Sequence, residues 1–277
     1  MATSKKDKPL SRDNFDIHWL ENVSPSNYKK LSHKPLQEKQ DSRKIATPFI
    51  SQAIVDHHLN QKRVADWLNA LGHKKTASEI AANLPKDDRT RKGNFGEVIA
   101  SEHLIQRYGY YMPIFKLRYR DSHNMPMRGE DIVAFVLTPQ GEISKICIGE
   151  SKTRKKFSSS TVLQAHDRLK NSYHPCPETL SMLANIAYEI GNIKLGSEID
   201  RVSRLLAEKD FPTENWVFLI TEDKPSEPFA EIEKLGNIIK PLICVDLQLS
   251  DLQVFVDGLF DNPEPFKDGV KNVKTRP

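Results

Sequence analysis

Arg128-Gly129-Glu130-Asp131, the run Ile132-Val133-Ala134-Phe135-Val136-Leu137 and, further on, Ile148-Gly149-Glu150-Ser151-Lys152 decide how this chain folds. The first run is unbroken apolar and β-branched sequence, and Thr138-Pro139-Gln140-Gly141 after it is turn chemistry. A second strand over 142–152 then pairs back on the first. Side chains alternate along a strand, so Glu150 and Lys152 share a face, with Ile146 and Ile148 further in on that face. Asp131, Glu150 and Lys152 thereby converge at the sheet rim.

Two acids and a lysine in that position suit phosphodiester hydrolysis. The reaction needs an activated water and relief of charge on the phosphate, and a hard divalent cation, Mg2+ (or Mn2+), supplies both through oxygen ligands. Asp131 and Glu150 are the candidate carboxylate ligands, the Ser151 carbonyl a third. Lys152 would steer the water or stabilise the negative charge that builds on phosphorus. A salt-bridged hairpin end would carry the same residue types, and Glu-x-Lys alone is common; its coupling to an upstream Gly-Glu-Asp gives it weight.

Cations bracket the acids. Lys116, Arg118, Arg120 and Arg128 precede Asp131, and Arg154, Lys155 and Lys156 follow Lys152. A polyanionic substrate such as DNA is repelled by clustered carboxylates, and flanking Lys and Arg offset that repulsion. The net charge of the whole chain is only +4, so the placement of these cations argues for nucleic acid more than their total does. Just upstream, a helix is predicted over 93–108, with Phe95, Val98, Ile99, Leu104, Ile105 and Tyr108 on a broad apolar arc. Glu97 falls at the buried edge of that arc, where a carboxylate needs a partner such as a shared metal. Glu102, projecting between Phe95 and Val98, competes for the role; Glu97 is preferred.

These motifs resemble the PD-(D/E)XK, or restriction-endonuclease-like, superfamily. The resemblance implies an α/β fold: a mixed-sheet core with flanking helices and a helical N-terminal region, in which a helix before the first core strand donates an acid. Length, helical lead-in, the spacing GNFGE…RGED…GESK and the closing ICVDL strand resemble the nuclease subunit of Hachiman-type bacterial antiphage defence, over about 47–260. Only the region of Glu97, Asp131, Glu150 and Lys152 is specific. That likeness implies a partner, a superfamily 2 helicase that holds the nuclease inactive until it senses aberrant DNA. The chain departs from the superfamily pattern in carrying Gly-Glu-Asp where Pro-Asp is usual. Either Glu130 or Asp131 could then be the ligand, and strand parity puts them on opposite faces. A catalytically inactive nuclease-fold subunit that binds nucleic acid or scaffolds a complex is the alternative.

The remainder sets the frame. The 277 residues, 38% hydrophobic and 28% charged, suffice for one large core or a core with an appendage. No apolar stretch approaches a membrane span, and the first residues lack the apolar middle of a signal peptide, which predicts a cytoplasmic protein. Cys147, Cys176 and Cys244 are odd in number and scattered, against a disulfide framework or a zinc knuckle. His57-His58, His166 and His174 form no ligand pattern and read as surface residues. With 12 glycines and no phosphate-cradling loop, small-molecule enzyme classes have no support.

Along the chain, 1–46 reads as an arm, either packed on the core or partly loose. Residues 47–90 read as a helical lead-in, with helices over 50–59 and 63–71 and a third opened by a capping box at Thr76-Ala77-Ser78-Glu79. A charged linker over 84–93 leads into the nuclease core, 91–262, and 263–277 is a polar tail. Within the core a strand is expected over 111–119, helices over 158–170, 179–190 and 198–206, and strands over 216–220 and 242–247. The serines opening the helix at 158 suit an N-cap and could hold a phosphate, with Gln164 and His166 as candidate substrate contacts.

Overall fold

The apolar run forms the strand Ile132–Leu137, and Ile143–Arg154 pairs with it antiparallel, Ile132 opposite Gly149 and Phe135 opposite Ile146. The turn between them closes through Gly141 N–H donating to Thr138 O at 2.9 Å, with Gly141 at φ +81°, a conformation only glycine adopts without strain. This computed structural model describes residues 10–120, 122, 124, 129–171, 177–208 and 211–263.

In chain order the N-terminal part contributes α1 (Phe15–Trp19), β1 (Leu20–Asn22), β2 (Ser32–His33), β3 (Leu36–Glu38), α2 (Ser42–His58), α3 (Gln61–Asn83) and α4 (Asp88–His103). There follow β4 (Ile132–Leu137), β5 (Ile143–Arg154), α5 (Ser159–Asn171), α6 (Pro177–Glu189) and α7 (Ile193–Ala207). The chain closes with β6 (Thr213–Thr221), α8 (Ala230–Lys234), β7 (Leu242–Gln248) and α9 (Leu252–Asp261). The seven strands make one mixed sheet in the order β1-β3-β7-β6-β5-β4, and β2 also pairs with β7. β5, β6 and β7 run parallel, while β4 is an antiparallel edge. Among the described residues no helix is long and apolar enough to cross a membrane.

Both faces of the sheet are covered, which is why its central strands read as near-continuous apolar runs. On one face Ile132, Ala134, Cys147, Trp216 and Phe218 meet α2, α4 and α9; on the other Val133, Phe135, Ile146, Ile148 and Val217 meet α5, α6 and α7. Each fully buried large side chain here stabilises by about 1.5–3 kcal/mol relative to exposure. The described part of the arm is packed, not loose: β3 lies parallel to β7, and Trp19 is fully buried.

Several local expectations give way. Residues 111–119 form no strand. Tyr111 makes a single bridge to Phe135, then Pro113 cannot donate to a ladder, and Lys116–Tyr119 winds into a 3-10 turn. The capping box at Thr76 does not start a helix: Thr76 Oγ1 donates to the Gly72 carbonyl at 2.9 Å, within α3. The break in that region is at Gly72, whose φ of +72° bends α3. From Asp88 onward the expected linker is instead the first turns of α4, capped by Asp87, whose carboxylate accepts Thr90 N–H at 2.8 Å. His57, His58 and His166 are buried rather than superficial, and His174 lies outside the described residues.

Candidate active site

The hairpin of β4 and β5 presents its acids where the two strands leave the core. Asp131, just before β4, accepts the Ser151 N–H on Oδ2 at 2.9 Å, so the rim of one strand fixes the acid of the other. Glu150 is 2% exposed, and its Oε1 receives both Lys152 Nζ and Arg168 Nη1, the latter at 2.7 Å. Ile146 and Ile148 do lie on the face of Glu150, packed in the core formed with α5.

Glu97 arrives on α4, and Gly96 sets how closely that helix approaches. A Cβ at Gly96 would overlap Thr153 Oγ1 and stand 2.6 Å from Ser151 Oγ, so the absence of a side chain there lets α4 lie close on β5 with both hydroxyls where they are. Burial pushes the Glu97 carboxyl up to about 8; Lys116 opposes, Asp131 and Glu150 add to the rise, and Arg120 opposes again. Burial likewise pushes Asp131 up to about 6, with Glu150 adding and the Ser151 N–H, Lys152 and Lys116 opposing. Glu97, Asp131 and Glu150 thus share one electrostatic neighbourhood.

The structure separates the competing acids. Glu102 is 1% exposed and held by Arg12 Nη1 and Nη2, each at 2.6 Å, by His57 Nε2 at 2.8 Å and by Gln106 Nε2 at 2.8 Å. It braces the N-terminal arm against α4. Glu130 turns away from Asp131: its Oε2 accepts Thr179 Oγ1 at 2.6 Å, on α6, while Lys116 Nζ reaches its carbonyl oxygen.

The flanking cations divide. Arg154, the last residue of β5, and Lys155 and Lys156 just after it are exposed. Lys116, by contrast, is 5% exposed and lies inward, within the field of Glu97 and Asp131. Arg118 donates to the Asp56 carbonyl at 2.8 Å and lies over the Phe115 ring, a bracing role on α2. Arg120 is half-buried, and burial lowers its guanidinium to about 10 although Glu97 pulls the other way. These three are not part of an open basic surface; Arg128 lies outside the described residues.

On α5, Gln164 is exposed, whereas His166 is 1% exposed and receives the Ile239 N–H on Nε2 at 3.5 Å, which makes it a core residue. Sequence reasoning missed Arg168. Its only signal was a position one helical turn after Gln164, and nothing local says that it reaches Glu150.

Among the described residues no group of three or more His, Cys, Asp or Glu side chains stands as a ready-made metal cage. The donor set nevertheless suits a hard cation. Glu97 feels both Asp131 and Glu150, burial disfavours the charged form of Glu97 and of Asp131, and Glu150 already draws two positive groups.

The HamA family model matches residues 12–255. The chain belongs to the HamA family. The match spans Glu97, Asp131, Glu150, Lys152 and Arg168 as well as the arm residue Arg12 that holds Glu102. A family relative, the Hachiman protein HamA of Bacillus cereus, is 26% identical over 251 residues, covering 89% of each chain.

Proposed function

We propose that this chain is a metal-dependent nuclease that hydrolyses DNA phosphodiester bonds and acts as an antiphage defence component. The observation that carries this reading is that Asp131, Glu150 and Lys152 stand at one end of the β4–β5 hairpin, with Glu97 of α4 in the field of the two acids. Asp131 and Glu150, with Glu97 and the Ser151 carbonyl, would hold Mg2+ or Mn2+, which when bound supplies an activated water and relieves phosphate charge. The Ser151 N–H keeps Asp131 oriented. Lys152 stands beside Glu150, where its ammonium can meet the negative charge of the transition state. Arg154, Lys155 and Lys156 bind the nucleic-acid backbone ahead of the site.

A free nuclease of this kind would damage its own host, so its activity must be restrained. Resemblance to Hachiman nuclease subunits supports a superfamily 2 helicase as the restraint. A second reading, an inactive nuclease-fold subunit that binds nucleic acid or scaffolds a complex, is favoured by the absence of a preformed metal cage among the described residues.

The discriminating experiment incubates the purified chain with supercoiled plasmid in Mg2+, in Mn2+ and in chelator. Cleavage is expected only with a metal present, and Glu150→Ala, which removes a proposed metal ligand, should reduce it by on the order of 10²–10³-fold. In cells, expression without the helicase should be toxic, and Glu150→Ala should relieve the toxicity. A Glu150→Ala protein that cuts at the parental rate, or a wild type inert with both metals, leaves the inactive-subunit reading.

A further inference from the structure

Arg168 and Glu150 form an unequal pair. Glu150 is 2% exposed, while the Arg168 side chain is 63% exposed and still brings Nη1 within 2.7 Å of Glu150 Oε1. The backbone of Arg168 is held firmly, because Val162, Ala165 and Leu169 anchor α5 in the core. Its guanidinium, in contrast, stands at the solvent boundary, and water competes well for an exposed partner of an ion pair. The buried carboxylate cannot forgo a positive partner so cheaply. Lys152 already contacts the same oxygen, so Arg168 is the second cation on one oxygen and the one more easily displaced.

A divalent cation on Glu150 would replace the positive charge that Arg168 contributes and would repel the guanidinium. Oxygens that share one small cation are neighbours. A side chain long enough to reach Glu150 Oε1 therefore also reaches a phosphate oxygen held beside it. The guanidinium fork is suited to phosphate, whose non-bridging oxygens gain charge as the nucleophile approaches.

We propose that Arg168 is a two-position catalytic cation: it neutralises Glu150 while the site holds no metal, and turns to a non-bridging oxygen of the scissile phosphate once a divalent cation takes Glu150. The proposal rests on the nuclease reading above and adds a residue and a switch to it. It predicts that one substitution moves two equilibria in opposite directions. A surface cation that only attracts DNA would not do this.

The test compares the wild-type full chain with Arg168→Ala and Arg168→Lys, after thermal melts show equal stability. Mn2+ alone is titrated calorimetrically, and a short duplex is titrated in Ca2+ and in chelator. Arg168→Ala should bind Mn2+ more tightly, because a competing cation has been removed from Glu150. Its DNA affinity should fall roughly ten-fold in Ca2+, about the contribution of one charge-assisted hydrogen bond. In chelator, where the arginine stays on Glu150, DNA affinity should be unchanged. Arg168→Lys should recover part of the Ca2+-dependent loss. Unaltered Mn2+ affinity, or an equal loss of DNA affinity in Ca2+ and in chelator, would overturn the proposal and return Arg168 to an ordinary surface cation. If the wild type binds no Mn2+ and Glu150→Ala titrates identically, the metal-site reading itself falls, and this inference with it.

Discussion

Glu97 and Glu102 stand on the same helix, α4, little more than one turn apart, and the protein treats them in opposite ways. Glu102 is met at hydrogen-bond distance by Arg12, His57 and Gln106, and Arg12, although opposed by burial, holds its carboxyl well below the usual range. Glu97 has Lys116 and Arg120 in its field, but burial and the two acids Asp131 and Glu150 outweigh them and raise it to about 8. An acid whose charge is fully compensated stabilises the fold. An acid left under-compensated among others of its kind costs stability and is ready for a cation.

The two acids therefore make opposite contributions to stability as pH changes. Glu102 binds its proton less tightly folded than unfolded, so its contribution is present above about 4.5 and is lost as pH falls through its lowered folded value. Glu97 holds its proton in the folded state up to about 8 but releases it near 4.5 when unfolded, so its contribution falls as pH rises across that window. Asp131 adds the same tendency between 3.8 and about 6.

The sharpest way to break this contrast is at Glu102. Arg12→Ala leaves the buried Glu102 carboxylate without its guanidinium and should cost about 3–5 kcal/mol in denaturant unfolding, and Glu102→Gln, which leaves Arg12 its contact with Asp56, should cost less. A loss under 1 kcal/mol would mean that the network contributes little. Gly96→Ala comes next. The added methyl must displace the Ser151 and Thr153 hydroxyls or push α4 away from them, costing about 1–3 kcal/mol and disturbing the seat of Glu97. Cleavage should fall more than melting temperature suggests, and parental activity would show that α4 need not lie so close.

Glu97→Gln should do the reverse of Glu102→Gln. Without metal at pH 8 it should stabilise the chain by on the order of 1 kcal/mol, and flatten the decline of stability between pH 5 and 8 while lowering cleavage. A destabilised Glu97→Gln protein would place Glu97 with Glu102 as a structural acid. The smallest effect on the fold belongs to Arg154, Lys155 and Lys156, which are exposed. Replacing all three by alanine should change stability by no more than about 0.5 kcal/mol. It should lower the salt dependence of DNA binding by about one unit of slope for each phosphate that is no longer neutralised. An unchanged slope would make them a solvated face.

What the sequence determined by itself is the local part of the site. Strand alternation is a two-residue rule, so the β4–β5 hairpin, its Gly141 turn and the shared face of Glu150, Ile148 and Ile146 followed from neighbours in the chain. Strand parity does not place Glu130 and Asp131, which both precede β4; Thr179 and Ser151, their separate partners, do. Tertiary structure alone decided which acid of α4 is saturated, because Arg12 lies 90 positions from Glu102. It also brought Arg168 to Glu150, turned Lys116 inward, and buried His57 and His166. A charged or titratable group takes its role from whatever cations, carbonyls and desolvating side chains surround it, and those arrive from distant segments only when the sheet and its two helical layers close.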